Sequence, residues 1–151
     1  MKLLYALLIT VGVGALAGIA TATNISSWYV HITKPSFNPP NGLFGPVWTV
    51  LYILMGISLY LIWKLPATPQ RATAQRFFTI QLILNFIWSF IFFYFHQIGL
   101  ALADIVLLWF FILPTIILFS KLNKPAAWLL VPYISWVSFA TILNAAIFRL
   151  N

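Results

Sequence analysis

The sequence predicts an all-α membrane protein: a five-transmembrane-helix bundle that forms a single domain over residues 1–151, with a proline-rich extracellular loop between helices 1 and 2. Of the 151 residues, 63% are hydrophobic and only 6% are charged, whereas soluble domains contain about 25% charged residues. The apolar residues also form runs of roughly 20, the length that crosses about 30 Å of hydrocarbon. These runs are continuous and do not alternate as in a transmembrane β-barrel.

Breaks in the apolar pattern bound the first two helices. Polar residues at 24–27 follow the first run, which predicts helix 1 over residues 3–24. Pro46 suits the first position of a helix, so helix 2 is predicted over residues 46–63. It ends before residues 66–69, which contain two prolines.

Three further helices follow with short connections. Helix 3 is predicted over residues 73–95 and ends at His96–Gln97. Helix 4 is predicted over residues 99–120, and the segment Asn123–Pro125 separates it from helix 5, predicted over residues 126–148.

Helix 1 has an alternative interpretation as a cleaved secretory signal. Lys2 precedes the apolar run, and Ala20-Thr21-Ala22 resembles a small-residue cleavage site. The run is longer than the roughly 7–15 residues of a signal peptide. We therefore expect helix 1 to remain as a transmembrane helix.

The basic residues predict an orientation, because cytoplasmic loops carry the excess of Lys and Arg. On the side of the N-terminus the helix ends carry Lys2, Lys64, Arg71, Arg76, Lys121 and Lys124. The opposite side carries only Lys34 and Arg149. The N-terminus is therefore predicted to be cytoplasmic and the first loop extracellular, in a bacterial cell membrane or, alternatively, a mitochondrial outer membrane.

The first loop, residues 25–45, is predicted to be stiff. Pro35, Pro39 and Pro40 remove backbone donors and restrict φ, and Asn41-Gly42 favours a turn. Long ordered loops of this kind commonly act as lids or binding elements. We expect it to cover a pocket.

Polar, aromatic and small residues recur at helical spacing on three helices. They are Trp48 and Tyr52 on helix 2, Gln81, Asn85 and Trp88 on helix 3, and Tyr133, Trp136, Ala140 and Asn144 on helix 5. Most lie in the half of the membrane beneath the first loop. Polar groups in hydrocarbon need partners, so these faces should meet and form a partly apolar small-molecule site.

Several of these residues also have a structural interpretation. Tryptophans near helix ends are typical of the interfacial belt, and Asn85 and Asn144 can serve as interhelical hydrogen-bonding groups. Asp104 is the only acidic side chain of the chain. It forms either a structural ion pair with Lys34 or Arg149, or a functional intramembrane acid.

Other function classes are disfavoured. The net charge of +7 comes from Lys and Arg at separate helix ends, whereas nucleic-acid binding requires them clustered on one face. The chain has no cysteine, two histidines and one acidic side chain, so neither a closed metal site nor a catalytic carboxylate pair can be assembled. His31 and His96 could ligate haem iron or occupy the interface.

Motifs along nearly the whole chain resemble one family. They are Trp28-Tyr29, Lys34-Pro35-Ser36-Phe37-Asn38-Pro39-Pro40, Gly45-Pro46-Val47-Trp48-Thr49, Leu51-Tyr52, Gln81-Leu82, Leu84-Asn85, Trp88, Phe92-Phe93, Ala103-Asp104, Pro132-Tyr133, Trp136, Phe139-Ala140-Thr141 and Leu143-Asn144. This order resembles the TspO/MBR family of bacterial tryptophan-rich sensory proteins and the mitochondrial translocator protein, or peripheral benzodiazepine receptor.

The resemblance implies a five-helix bundle, usually a homodimer, that binds porphyrins such as protoporphyrin IX and synthetic benzodiazepine-site ligands and needs no cofactor. It implies a pocket beneath the first loop lined by Tyr29, Pro40, Trp48, Tyr52, Asn85, Trp88, Trp136, Ala140 and Leu143. Some family members promote light- and oxygen-dependent porphyrin breakdown. By the same resemblance, Trp48 and Trp136 are the catalytic candidates, as redox partners of the excited ring.

Two positions depart from the family pattern. The segment 143–149 matches the proposed cholesterol motif except that an alanine stands at the tyrosine position, so high-affinity sterol binding is not expected. Leu100 stands where animal members have a tryptophan, so the ligand surface should differ there.

The function predicted from the sequence is therefore that of a receptor- or sensor-like porphyrin-binding membrane protein. The alternatives are a transporter of porphyrins or other apolar cargo and a non-catalytic membrane scaffold. Gly14 and Gly18 form a GxxxG step that permits close helix approach, either within the bundle or with a second subunit.

Overall fold

The computed structural model describes residues 1–151 and contains six α-helices. They are α1 (Lys2–Ile25), α2 (Phe44–Trp63), α3 (Pro69–Ser89), α4 (Ile98–Leu122), α5 (Lys124–Leu129) and α6 (Val131–Leu150). Two 3-10 turns, Tyr29–His31 and Asn41–Leu43, and a π-helical segment, Phe90–Tyr94, complete the regular structure. Five apolar helical spans are long enough to cross a membrane, with α5 and α6 together forming the fifth. The predicted all-α membrane bundle is confirmed, and the chain is a multi-pass membrane protein.

Three spans begin two or more residues earlier than predicted: the second, the third and the fifth, which begins at Lys124. α3 begins at Pro69 because the Thr68 side chain accepts a hydrogen bond from the Arg71 backbone N–H at 3.1 Å, an N-cap that the prediction overlooked. α2 begins at Phe44, so Pro46 occupies its third position and not its first. The missing N–H of Pro46 costs no hydrogen bond there, because the first four N–H groups of a helix lack intrahelical partners.

The fifth span, predicted as one continuous helix, is interrupted at Leu130. Pro132 has no N–H to donate to the carbonyl four residues earlier, and the Leu130 N–H donates to the Ala127 carbonyl in a tighter turn at 3.1 Å. Pro114, in contrast, lies inside α4 without ending it.

α1 and α2 approach closely at two glycines. A Cβ added at Gly14 would lie 2.4 Å from the Tyr52 ring, and one at Gly56 would lie 2.7 Å from the Thr10 hydroxyl. A Cβ at Gly18 would meet nothing within 4 Å. The first half of the GxxxG step is thus used inside the bundle, while the second half faces open space.

The segment between α1 and α2 is held by side-chain hydrogen bonds to its backbone. Lys34 Nζ donates to the carbonyls of Tyr29 and Ile32 at 2.7 and 2.9 Å. The backbone of Thr33 pairs in both directions with the Asn151 side chain, at 3.1 and 2.8 Å. The two bonds between Thr33 and Asn151 fasten the segment to the end of α6.

Candidate functional site

Aromatic rings from α2, the end of α3 and α6 meet in one group. The ring centroid of Trp48 lies 6.3 Å from those of both Trp88 and Trp136, tilted by 38° from the first and perpendicular to the second. Phe44 meets Trp136 edge-on at 6.2 Å, and Phe92 stacks on Trp88 at 5.2 Å. We call Phe44, Trp48, Trp88, Phe92 and Trp136 the aromatic cluster.

A chain of buried hydrogen bonds joins the same three helices next to the aromatic cluster. The Tyr52 hydroxyl donates to Asn85 Oδ1 at 3.0 Å, and Asn85 Nδ2 donates to the Tyr133 hydroxyl at 2.7 Å. The Tyr133 hydroxyl donates in turn to Gln81 Oε1 at 2.6 Å. Tyr52, Gln81, Asn85 and Tyr133 form the polar network. It satisfies groups that would be costly to leave unpaired in hydrocarbon.

The indole N–H groups of the cluster differ in their partners. Trp88 Nε1 donates to Asn144 Oδ1 at 3.0 Å, and Asn144 Nδ2 donates to the Ile98 carbonyl at 3.0 Å. Trp136 Nε1 is buried and has no hydrogen-bond partner. An unpaired buried donor costs about 1–3 kcal/mol, so a ligand with an acceptor at this point would remove that cost.

Two spaces adjoin the aromatic cluster. A cavity of about 10 Å³ lies among Tyr29, the cluster rings and residues of α6, which is about the space of one water. A groove of about 390 Å³ opens between α1 and α2, lined by small residues of α1 and by Trp48, Thr49 and Tyr52. Phe44 and Trp48 line both spaces. These two rings therefore lie between the small cavity and the larger groove.

The predicted ligand-binding residues divide between these features. Those that line the small cavity are Tyr29, Trp48, Trp88, Trp136, Ala140 and Leu143. Tyr52 lines the groove, and Asn85 lies in the polar network and lines neither space. Pro40 is exposed and also lines neither. The geometry thus brings together the three predicted tryptophans and leaves Pro40 outside.

Four phenylalanines of the site were not predicted as site residues. Phe44, Phe92, Phe93 and Phe139 all line the small cavity. Helical spacing could have identified two of them, since Phe44 precedes Trp48 by four positions and Phe92 follows Trp88 by four.

Asp104 lies apart from this site, on α4, and lines neither space. Its Oδ2 atom is buried and has no hydrogen-bond partner. Lys34, one of its two predicted ion-pair partners, donates to backbone carbonyls of its own segment.

The polar groups near the first loop include Tyr29 of that loop and His96, which lies between the π-helical segment and α4. No group of three or more His, Cys, Asp or Glu side chains could hold a metal ion. The His96 ring stacks on Trp28 with a centroid distance of 4.1 Å, and its Nε2 lies 3.3 Å from Asn24 Oδ1. Burial raises the pKa of Tyr29 above its usual range, so its phenol stays neutral and bonds to Asn38 Oδ1.

Comparison with known proteins gives relatives along nearly the whole chain. The sequence model of the TspO/MBR family matches residues 6–150. The tryptophan-rich protein TspO of Chlorobaculum tepidum is 42% identical over 158 residues, which cover 99% of this chain and 98% of the relative. The human translocator protein is 40% identical over 126 residues, covering 82% and 75%. The tryptophan-rich sensory protein of Cereibacter sphaeroides is 35% identical over 138 residues, covering 91% and 85%.

The family match, the five spans and the converging tryptophans all support the same family assignment. Most of the motifs that carried the resemblance fall on the aromatic cluster, the polar network and the segment that precedes α2, while Ala103-Asp104 lies on α4. This chain belongs to the TspO/MBR family.

Proposed function

We propose that this protein is a receptor- or sensor-like membrane protein that binds a planar aromatic ligand against the aromatic cluster. The ligand class is a porphyrin such as protoporphyrin IX, and synthetic benzodiazepine-site ligands compete for the same site. The observation that carries the proposal is the convergence of Trp48, Trp88 and Trp136 from three helices, with the unpartnered Nε1 of Trp136 among them. The names of the relatives, translocator protein and tryptophan-rich sensory protein, fit such a role.

Binding requires the cluster to open. Ligand sites enclose about 300–1,000 Å³. The cavity of about 10 Å³ is far smaller than this, whereas the groove of about 390 Å³ lies within the range. Because Phe44 and Trp48 separate the two spaces, turning these side chains would join them. The ligand therefore enters from the groove between α1 and α2, and Trp48 contacts it first.

The site recognises its ligand through ring faces and one hydrogen bond. Large flat rings pack favourably on indole faces, with aromatic pairs contributing roughly 0.5–1.5 kcal/mol beyond burial. The indole N–H of Trp136 would donate to a ring substituent or carboxylate. The polar network keeps Tyr52 and Asn85 occupied with each other, so they shape the site more than they bind.

Porphyrin breakdown is the catalytic part of the proposal. The excited porphyrin takes one electron from an indole that stacks on it, and the porphyrin radical anion passes this electron to molecular oxygen, which becomes superoxide. The oxidised indole then regains an electron from the porphyrin, and the porphyrin radical cation combines with superoxide, so that oxygen is added to the ring and the indole is restored. Trp48 and Trp136 are the proposed electron donors because the family resemblance points to these two positions and both line the cavity. No cofactor beyond the porphyrin and oxygen is required.

The first test is a binding titration with protoporphyrin IX in the dark. Quenching of tryptophan fluorescence is the readout. Trp48→Ala removes the ring shared by both spaces and should weaken binding by about tenfold, the factor that corresponds to roughly 1.4 kcal/mol of lost stacking and burial. Trp128→Ala is the matched control, because Trp128 is 71% exposed on α5 and lies outside the site. Equal affinity of both variants would overturn the proposal.

A transporter would behave differently from a receptor. Liposomes containing the protein should bind porphyrin to saturation without accumulating it inside. Saturable uptake that benzodiazepine-site ligands block would favour the transporter, and the absence of any binding would favour a scaffold.

A further inference from the structure

We propose a second binding site, for the phosphate of an anionic lipid headgroup, at the opposite end of the bundle from the first loop. The site is a depression of about 330 Å³ where the start of α1, the end of α2 and the start of α3 meet. It is lined by Lys2, Tyr5, Trp63, Arg71 and Gln75.

The side chains of Lys2 and Arg71 are held in place by hydrogen bonds that leave most of their N–H donors free. Lys2 Nζ donates to the Trp63 carbonyl at 3.1 Å, which uses one of its three donors. Arg71 donates through one Nη1 hydrogen to the Leu65 carbonyl. With the Gln75 amide turned into the orientation that pairs both neighbours, its oxygen accepts from Arg71 Nε at 3.2 Å and from Trp63 Nε1 at 3.0 Å. Two ammonium and three guanidinium N–H groups remain for a ligand.

Nothing in the chain neutralises this pair of charges. Asp104 is the only acidic side chain, and it lies near the start of α4, toward the other end of the bundle. A phosphate group carries several anionic oxygens, and a guanidinium group and an ammonium group can bind these oxygens at the same time. The geometry therefore calls for an external phosphate group.

The surface beside the depression indicates that the phosphate belongs to a lipid. Lys2, Tyr5 and Ile9 lie at positions i, i+3 and i+7 and so share one face of α1. Tyr5 and Ile9 are 55% and 44% exposed, forming an apolar track that leads from the cations toward the middle of the span. An acyl chain can follow this track while the headgroup occupies the depression, as in basic pockets that bind anionic lipids between transmembrane helices.

The test compares phosphatidylglycerol with phosphatidylcholine by native mass spectrometry of the full chain in neutral detergent, with any affinity tag at the C-terminus. Each basic residue near a membrane surface contributes about 1 kcal/mol, or roughly fivefold in affinity. Lys2→Gln should therefore weaken phosphatidylglycerol binding about fivefold, and Lys2→Gln with Arg71→Gln about 25-fold. Lys2 is exposed, so the single variant should fold normally even if loss of Arg71 disturbs the end of α2.

Arg76→Gln is the matched control, because Arg76 is an exposed cation on the same helix that does not line the depression. It should bind phosphatidylglycerol as the unmodified protein does. An equal loss of phosphatidylglycerol affinity in Arg76→Gln and Lys2→Gln would show that general surface charge causes the binding, and it would overturn the proposed site. No preference for phosphatidylglycerol over phosphatidylcholine would also overturn it. Displacement of the lipid by an equal concentration of inorganic phosphate would overturn the lipid assignment in favour of a free anion.

Discussion

At the scale of single residues, hydrogen-bonding capacity decides which polar groups hold the bundle and which are available to a ligand. Asn85 and Tyr133 are fully engaged with each other and with their neighbours. Trp136 Nε1 lies near them without a partner. The same environment that makes the polar network stabilising makes this unpaired indole N–H costly, which is why we propose it as the point of ligand recognition.

Tyr133→Phe should destabilise the protein because it removes the hydroxyl that bridges Asn85 and Gln81. Both amides would lose a buried partner, and we expect a loss of about 1–3 kcal/mol in the free energy of unfolding, measured by thermal unfolding in detergent. Tyr94→Phe is the control, since Tyr94 is 57% exposed. Equal melting temperatures for the two variants would refute the stabilising role of the polar network.

At the scale of elements, the contact between α1 and α2 sets the shape of the groove. Gly14 lets α1 lie directly against the Tyr52 ring, while Gly18, one turn further on, leaves the groove open. Tyr52 in turn packs beside Trp48, which lines both the groove and the small cavity. Tyr52 and Trp48 lie 5.9 Å apart between ring centroids.

Gly14→Ala and Gly18→Ala form a matched pair on this contact. The added methyl at Gly14 overlaps the Tyr52 ring, and overpacking of this kind costs about 1–3 kcal/mol. At Gly18 it meets nothing, and alanine is the better helix former by up to about 1 kcal/mol. We expect Gly14→Ala to lower the melting temperature and Gly18→Ala to leave it unchanged or raise it. The opposite order would contradict the packing of α1 on Tyr52.

At the scale of the whole molecule, the charge asymmetry predicts a cytoplasmic N-terminus. The chain has no cysteine, so single introduced cysteines report orientation without background. Ser36→Cys, in the segment before α2, should react with a membrane-impermeant thiol reagent applied to intact cells. Ser120→Cys, exposed near the end of α4, should react only after the cells are opened. The reverse labelling pattern would show that the N-terminus lies outside the cell and would contradict the predicted orientation.

Hydropathy was sufficient to predict the five spans, because apolar runs of membrane length admit few alternatives. Helical spacing was sufficient to predict that Trp48, Trp88 and Trp136 face one another. Neither pattern contains the interruption at Leu130, which follows from the missing N–H of Pro132, or the N-cap at Thr68, which depends on one hydrogen bond from the backbone to a side chain. The volumes of the small cavity and of the groove could not be predicted from the sequence either, since they depend on how the Phe44 and Trp48 rings pack.

The most direct test of the account is a protoporphyrin IX titration of the purified protein, in the dark and under illumination, alongside Trp48→Phe with Trp136→Phe. Phenylalanine keeps an aromatic ring at each position but is far harder to oxidise than indole. We predict saturable binding by both proteins and light-dependent loss of porphyrin absorbance in the unmodified protein alone. Failure of the unmodified protein to bind saturably would contradict the proposed site. Equal light-dependent loss in both proteins would contradict the redox role of the two tryptophans.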